Sequence, residues 1–268
     1  MSLLLSLTNS SLFGPSLFLS VSTLFVGCQK IYLRQRRLTS HKVIANLEER
    51  IQRDEGKRGI GMISLRGELF GAANACVNAK RIVIITGFPC LLTFSPPTET
   101  DGPPGALAIA RSLLALGNNH VSIVTDECNE DVMLAGAAGS GLIQRYGDRF
   151  SLHSFPGFPE FDEKDELRLN DIADECDLLI AIERAGPTKD GTYLTMRGFD
   201  MSAIVAPLDD IIARRTFSGK GTKLSRGSKP FASIGIGGTI STTRIELVCG
   251  YCLMLLFLRN VYIYIFHE

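Results

Sequence analysis

The sequence predicts an α/β fold: a doubly wound, mostly parallel sheet with helices on both faces, held in a single domain. Three observations carry that prediction. Short apolar, β-branched-rich runs recur at Arg81–Ile85 (RIVII), His120–Thr125 (HVSIVT) and Leu178–Ile182 (LLIAI). Continuous runs of this length, bounded by turn residues, suit strands buried on both faces. Helix candidates alternate with them at Ala106–Leu116, Asp131–Ala138 and Glu166–Glu175, and such alternation implies parallel strands joined by right-handed crossovers. Acidic residues or glycine follow each run, at Thr86-Gly87, Asp126-Glu127 and Glu183-Arg184. That is the end of an open parallel sheet where ligands bind. The arrangement is Rossmann-like and is expected over residues 41–237.

The elements follow in order. His41–Arg53 places Val43, Ile44, Leu47 and Ile51 at helical spacing with charges opposite. Asp54–Arg58 breaks that helix, Arg58-Gly59-Ile60-Gly61 reads as a turn, and Glu68–Ala79 reads as a second helix. The strand Arg81–Ile85 leads into a loop rich in Pro and Thr, and then into Glu99-Thr100-Asp101-Gly102-Pro103-Pro104-Gly105. Proline suits a first helical turn, where a missing N–H costs nothing, and Gly117 suits the residue after that helix. Phe150–Phe155 reads as a short strand, Pro156–Asp165 as a loop, and Met201–Val205 as a further strand ending near Asp209-Asp210. Phe217–Lys229 reads as an exposed loop, and Phe231–Gly238 (FASIGIGG) as a strand entering glycines.

Composition narrows the function. The 268 residues carry no net charge and show no basic stripe, which excludes nucleic acid as the expected partner. Seven cysteines, an odd number, argue against a closed disulfide framework. Cys249-Gly250-Tyr251-Cys252 lies in an apolar tail, without the strand–helix context of a redox motif. There is no GxGxxG after the first strand, no GxxxxGK[ST], no HExxH and no GxSxG.

The two ends differ from the middle. Residues 1–40 are apolar and Ser-rich as far as Cys28 and then basic at Lys30, Arg34, Arg36 and Arg37. Charge after the apolar run fits a signal anchor or a transit segment better than a secretory signal. Residues 238–268 form an apolar tail, whose stretch Leu247–Phe266 has the length of a membrane span although Arg259 and Asn260 lie within it. A membrane is therefore an expected partner through these ends.

The expected site is the rim formed by Thr86-Gly87, Glu99, Asp101, Asp126-Glu127, Glu183-Arg184 and Asp209-Asp210. The Pro- and Gly-rich loop would bring Thr86, Glu99 and Asp101 to a helix N-terminus able to hold an anion. Carboxylates grouped on a rim can hold a divalent metal, bind an amine, or divide acid and base work. Asp126 and Asp209 also suit the N-caps of following helices, and Glu183-Arg184 suits an ion pair. No cofactor is evident. A divalent metal such as Mg²⁺ is compatible with the rim, and a metal-dependent phosphate enzyme is one alternative.

Thr86-Gly87-Phe88-Pro89, Pro97–Pro104 (PTETDGPP), Asp126, Ala181-Ile182-Glu183-Arg184-Ala185-Gly186 and Asp190-Gly191 together resemble the D-glutamate cyclase family, in its C-terminal domain. The resemblance covers about Ile44 to Ala213 and extends toward Gly237. It implies a hydro-lyase that converts D-glutamate to 5-oxo-D-proline and water, with a small amino acid as the substrate and a mitochondrial location. For the chemistry of that reaction, Glu99, Asp101 and Glu183 are the expected catalytic residues, and Thr86, Gly87, Gly102, Gly105, Asp126 and Arg184 the expected substrate-binding residues. Glu99 or Asp101 would bind the ammonium and take its proton. Arg184 and the N–H groups of Gly102 and Gly105 would bind carboxylates, and Glu183 would be the acid. In the family a Gly-x-Gly like Gly235-Ile236-Gly237 continues into an acidic, Gly-rich motif, whereas here Gly238-Thr239-Ile240-Ser241 follows. That departure implies a C-terminally truncated member. It leaves a ligand-binding homologue without turnover, or a membrane-anchored protein, as the other readings.

Overall fold

The computed structural model describes residues 40–50, 53, 67–100, 102–117, 120–209, 211, 232–237, 253–254 and 262–267. All but the last residue of the expected anchor or transit segment (residues 1–40), the expected turn at Gly59-Gly61, the expected loop Phe217–Lys229 and the CxxC lie outside them. The chain divides into two compact units, Met1–Leu47 and Glu48–Glu268. Residues 40–50 are helical. All the strands among the described residues belong to the second unit.

The second unit begins with Glu48, a buried carboxylate that accepts from the N–H groups of Gly67, Glu68 and Leu69 at 2.8, 2.9 and 3.2 Å. Those N–H groups open the helix α1 (Leu69–Asn78). A helix start leaves its first N–H groups without intrahelical partners, so a carboxylate there acts as a cap supplied from elsewhere in the chain.

Strand β1 (Arg81–Gly87) follows, then α2 (Gly102–Ala115) and β2 (His120–Asp126). A 3₁₀ turn (Glu127–Asn129) leads to α3 (Glu130–Gly139) and the short α4 (Leu142–Tyr146). Next come β3 (Phe150–Phe155), α5 (Glu163–Glu175) and β4 (Leu178–Arg184). After the loop from Ala185 the sheet resumes with β5 (Ala232–Gly237), β6 (Leu253–Met254) and β7 (Tyr262–His267).

The sheet order is β3-β2-β1-β4-β5-β7-β6. β1 to β5 pair in parallel, which is the doubly wound order. The chain goes outward through β2 and β3, then returns to place β4 on the other side of β1. Val83 and Ile85 of β1 share a core with Phe155, with Leu179 of β4 and with Leu169 and Ala173 of α5. Because side chains alternate along a strand, Ile84 and Thr86 face the other side, where α2 packs on β1, β2 and β4. α2 and α5 thus cover opposite faces, as the sequence predicts.

Three differences have physical causes. Met201–Val205 is not a strand; residues 202–204 turn, with Ile204 N–H donating to Met201 O at 3.0 Å. Its apolar pattern reflects burial in a loop, since Met201, Val205, Ala206 and Leu208 are all buried. α5 starts three residues before the predicted Glu166 because Asp162 and Asp165 form a capping box, the Asp162 side chain accepting from the N–H groups of Lys164 and Asp165 at 2.8 and 3.1 Å. In the tail, β7 pairs antiparallel with β5 and β6 with β7, so the residues described there are strands. Among the described residues no helix is long and apolar enough to cross a membrane.

Candidate active site

The point where the strand order reverses lies between β1 and β4. In such sheets the crevice outside the carboxyl ends at that point is the binding site. Thr86 pairs with Ile182, but Gly87 pairs with Arg184, so Glu183 is an extra residue in β4. It is a β-bulge, and Glu183 is the one non-glycine residue with positive φ (43°) among the described residues. A side chain held in that region costs about 1–3 kcal/mol. Bulges of this kind re-aim a side chain beside a site.

Here the bulge brings Glu183 Cβ to the start of α2. A Cβ built on Gly102 would lie 3.0 Å from Glu183 Cβ, 3.0 Å from Thr86 Oγ1 and 3.4 Å from the Ile182 carbonyl oxygen. Glycine at that position lets the helix start approach both strand ends. Gly105, one turn further, stands over Ile182, 3.8 Å from its Cγ2 by the same construction. Of the first four positions of α2, only Gly102 and Gly105 can carry an N–H, because Pro103 and Pro104 fill the other two. The structure therefore brings together four of the residues singled out from the sequence: Thr86, Gly102, Gly105 and Glu183.

Glu99 lies on the loop before α2. Its Oε2 accepts from Cys90 Sγ at 3.3 Å, and its N–H donates to Phe88 O at 3.3 Å. The neighbouring Thr98 donates through Oγ1 to Asn129 Oδ1 at 2.5 Å. Asp101 lies outside the described residues.

Asp126 and Arg184, both expected to bind substrate, meet one another. They form a fully buried ion pair through Arg184 Nη1 and Asp126 Oδ2. Asp126 also accepts from Ala206 N–H at 2.8 Å and from Asn129 Nδ2 at 3.2 Å. Arg184 donates to Gly87 O at 3.3 Å and to Ala206 O at 2.6 Å. Burial raises the Asp126 carboxyl above the usual range against the pull of Arg184. Burial likewise works against the Arg184 guanidinium, but Asp126 more than offsets it and the arginine is raised. Every neighbour of the Asp126 oxygens is a donor, so the charged pair is the form the geometry supports. The pair is a clamp joining the ends of β1, β2 and β4 to the loop at Ala206. Asp126 does not cap the turn that follows it, because its oxygens are committed to the clamp.

Gly87 belongs to the same clamp. With φ +111°, it packs so tightly that a Cβ would meet Asn129 Nδ2 at 2.4 Å and Thr125 Oγ1 at 2.9 Å. Thr125 Oγ1 in turn donates to Thr86 O at 2.9 Å. Sequence reasoning missed Thr98, Thr125, Asn129 and Ala206, and also the hydrogen bond from the buried Tyr193 hydroxyl to Asp209. The only signal was placement: Asn129 follows Asp126 by three residues, a spacing that resembles ordinary capping. Among the described residues no three His, Cys, Asp or Glu side chains form a group that could hold a metal.

An acid on a strained bulge, a hydroxyl and a helix start meet at the switch point of this α/β domain, the place where open parallel sheets bind ligands. The family described as D-glutamate cyclase-like, C-terminal, matches residues 47–238, and the chain belongs to that family. The chain is similar to the mitochondrial D-glutamate cyclase of Homo sapiens, with 31% identity over 190 residues, which cover 65% of this chain and 28% of the human protein. The chain thus matches little more than a quarter of that relative's length.

Proposed function

We propose that this domain binds D-glutamate at the β1/β4 switch point and closes it to 5-oxo-D-proline with release of water, the activity in the human relative's name. The observation that carries the reading is the convergence of Thr86 Oγ1 and Glu183 Cβ on Gly102 at the start of α2. In this reaction the amine nitrogen attacks the side-chain carboxyl carbon, a C–N bond forms and one C–O bond breaks. The ammonium loses two protons overall, and both leave on the departing oxygen as water. The reaction therefore needs a base at the amine and an acid at the carboxyl. Glu183, held at the helix start by its bulge, is the acid. Glu99 or Asp101, on the loop that enters α2, is the base. Holding both ends of the substrate folded supplies the proximity advantage. The Asp126–Arg184 clamp fixes the strand ends, and thereby the distances between these groups.

A divalent metal stays within the proposal only as a helper to the acidic loop. A mitochondrial location is part of the same proposal and rests on the human relative. Residues 41–237 are the unit proposed to carry the site. The second reading, a homologue that binds but does not turn over, is favoured by one observation. Arg184, the arginine expected for a substrate carboxylate, is engaged inside the protein.

The test is incubation with D- or L-glutamate, chiral detection of 5-oxoproline, and calorimetric binding in parallel. Formation of 5-oxo-D-proline from the D-enantiomer supports the cyclase. Binding without product supports the second reading. Neither binding nor product by the folded protein overturns both.

A further inference from the structure

The loop that carries Glu99 from β1 to α2 is closed on itself. Phe88 O accepts from the N–H groups of Cys90 and Glu99 at 2.8 and 3.3 Å, and Leu91 N–H donates to Pro97 O at 3.0 Å. Its tip lies in water, with Leu91, Leu92 and Phe94 40, 42 and 68% exposed. Within residues 90–100, Thr98 alone is buried. Its hydroxyl donates to Asn129 Oδ1 at 2.5 Å, and Asn129 Nδ2 donates in turn to Asp126 Oδ2 at 3.2 Å. An ionised carboxylate only accepts, so the amide must present Nδ2 to Asp126 and Oδ1 to Thr98. Asn129 is fully buried and closely backed, since a Cβ on Gly87 would lie 2.4 Å from its Nδ2.

We infer that Asn129 is a positioning residue for the loop acid: its side-chain amide joins Thr98, the neighbour of Glu99, to the buried Asp126–Arg184 pair, and so sets where Glu99 stands relative to the strand ends. The inference deepens the cyclase reading and rests on it for the identity of the reaction. Ring closure needs a base within hydrogen-bond reach of the amine while an acid is within reach of the carboxyl. The two acids come from different elements, Glu99 from a loop and Glu183 from β4. A base on a loop held only at its neck would stray further than such a contact allows, and a misplacement of about 1 Å can cost about a hundredfold in rate. The amide removes that freedom. The path Thr98–Asn129–Asp126–Arg184 starts at the residue before Glu99 and ends at the residue after Glu183. It is buried along its length, so one rigid chain of hydrogen bonds ties the backbones of both acids together.

The experiment compares the full chain with Thr98→Val and Thr98→Ser. Valine keeps the shape and removes the donor, whereas serine keeps the donor; where valine prevents folding, Thr98→Ala takes its place with the same expectation. The first readout needs no turnover. Cys90 is half-buried and its thiol donates to Glu99 Oε2 at 3.3 Å. The rate of its alkylation by iodoacetamide, followed by mass spectrometry of the Cys90 peptide, therefore reports whether the loop is held. Alkylation is expected to be several-fold faster in Thr98→Val and near the wild-type rate in Thr98→Ser. The second readout is 5-oxoproline formation from D-glutamate. Its kcat is expected to fall about ten- to a hundredfold in Thr98→Val, with KM changed less, because a misplaced base is felt in the reacting state more than in binding. Serine is expected to restore it. A merely structural bond would lower the melting temperature and leave kcat unchanged. Unchanged alkylation in Thr98→Val overturns the inference, as does unchanged kcat or a serine variant that behaves like the valine one, and each leaves the cyclase reading intact. If alkylation depends on the Thr98 hydroxyl but the wild-type chain forms no 5-oxoproline, the joint stands and the cyclase reading falls.

Discussion

The clamp at the strand ends sets a sharp expectation for Asp126→Asn. The substitution keeps the shape of the side chain and removes its charge. It leaves the Arg184 guanidinium, only 3% exposed, beside a neutral amide. Breaking a buried pair by neutralising one partner costs about 3–5 kcal/mol, because the remaining charge stays out of water. Two features shift the size in opposite directions. The asparagine oxygen can still accept one hydrogen bond, which favours the low end. Its amide nitrogen would then meet a donor, either Asn129 Nδ2 or Ala206 N–H, which favours the high end. A domain of this size loses roughly 2–4 °C of melting temperature per kcal/mol, so the expected fall is about 6–20 °C. The assay is thermal unfolding followed by circular dichroism at neutral pH. The double variant Asp126→Leu with Arg184→Met removes both charges and is expected to melt above Asp126→Asn, since an apolar pair leaves no charge unpaired. A fall of less than about 2 °C for Asp126→Asn, or a double variant no better than the single, would refute the clamp.

Two further stability outcomes are expected. Burial, Arg168 and His120 lower His153 below its ordinary value of 6.5, so the folded protein holds it neutral and the unfolded chain takes up the proton first as pH falls. Stability is then kept above about pH 6.5 and lost below it, and His153→Asn is expected to flatten the decline in melting temperature between pH 7.5 and 5.5; an unchanged slope would contradict the assignment. Gly87→Ala combines a positive φ with a contact at 2.4 Å, and about 3 kcal/mol or more of destabilisation is expected from denaturant unfolding. A near-neutral effect would show that the clamp yields.

Much of the fold was legible because parallel strands buried on both faces leave continuous apolar runs. β1, β2 and β4 were found with their starts in place. Their ends were underestimated, because Thr86-Gly87, Asp126 and Arg184 are polar or glycine and still pair in the sheet. Polarity at a strand end carries the site, and a pattern based on hydrophobicity stops short of it. Met201–Val205 failed for the opposite reason: a buried loop has the composition of a strand. The helix α4 was missed because five residues give too little periodicity.

In the site, proximity along the chain was readable and pairing across it was not. The loop Glu99–Gly105 could be placed at a helix start from its prolines and glycines. That Asp126 and Arg184 would satisfy one another could not, because they are 58 residues apart and meet only once β4 lies beside β1. The Glu183 bulge was invisible for a similar reason: it is a difference in register between two strands, and no residue in Ala181–Ala185 marks it as glycine would.

The central claim is that the acid on that bulge acts on a substrate at the start of α2. The most direct measurement is the rate of 5-oxoproline formation from D-glutamate by Glu183→Gln against the wild-type chain, with both confirmed as folded by their melting curves. Glutamine keeps the shape and removes the transferable proton. The account predicts a folded variant with a rate at least about a hundredfold lower, the usual worth of a positioned general acid. A Glu183→Gln protein that cyclises D-glutamate at the wild-type rate would contradict it.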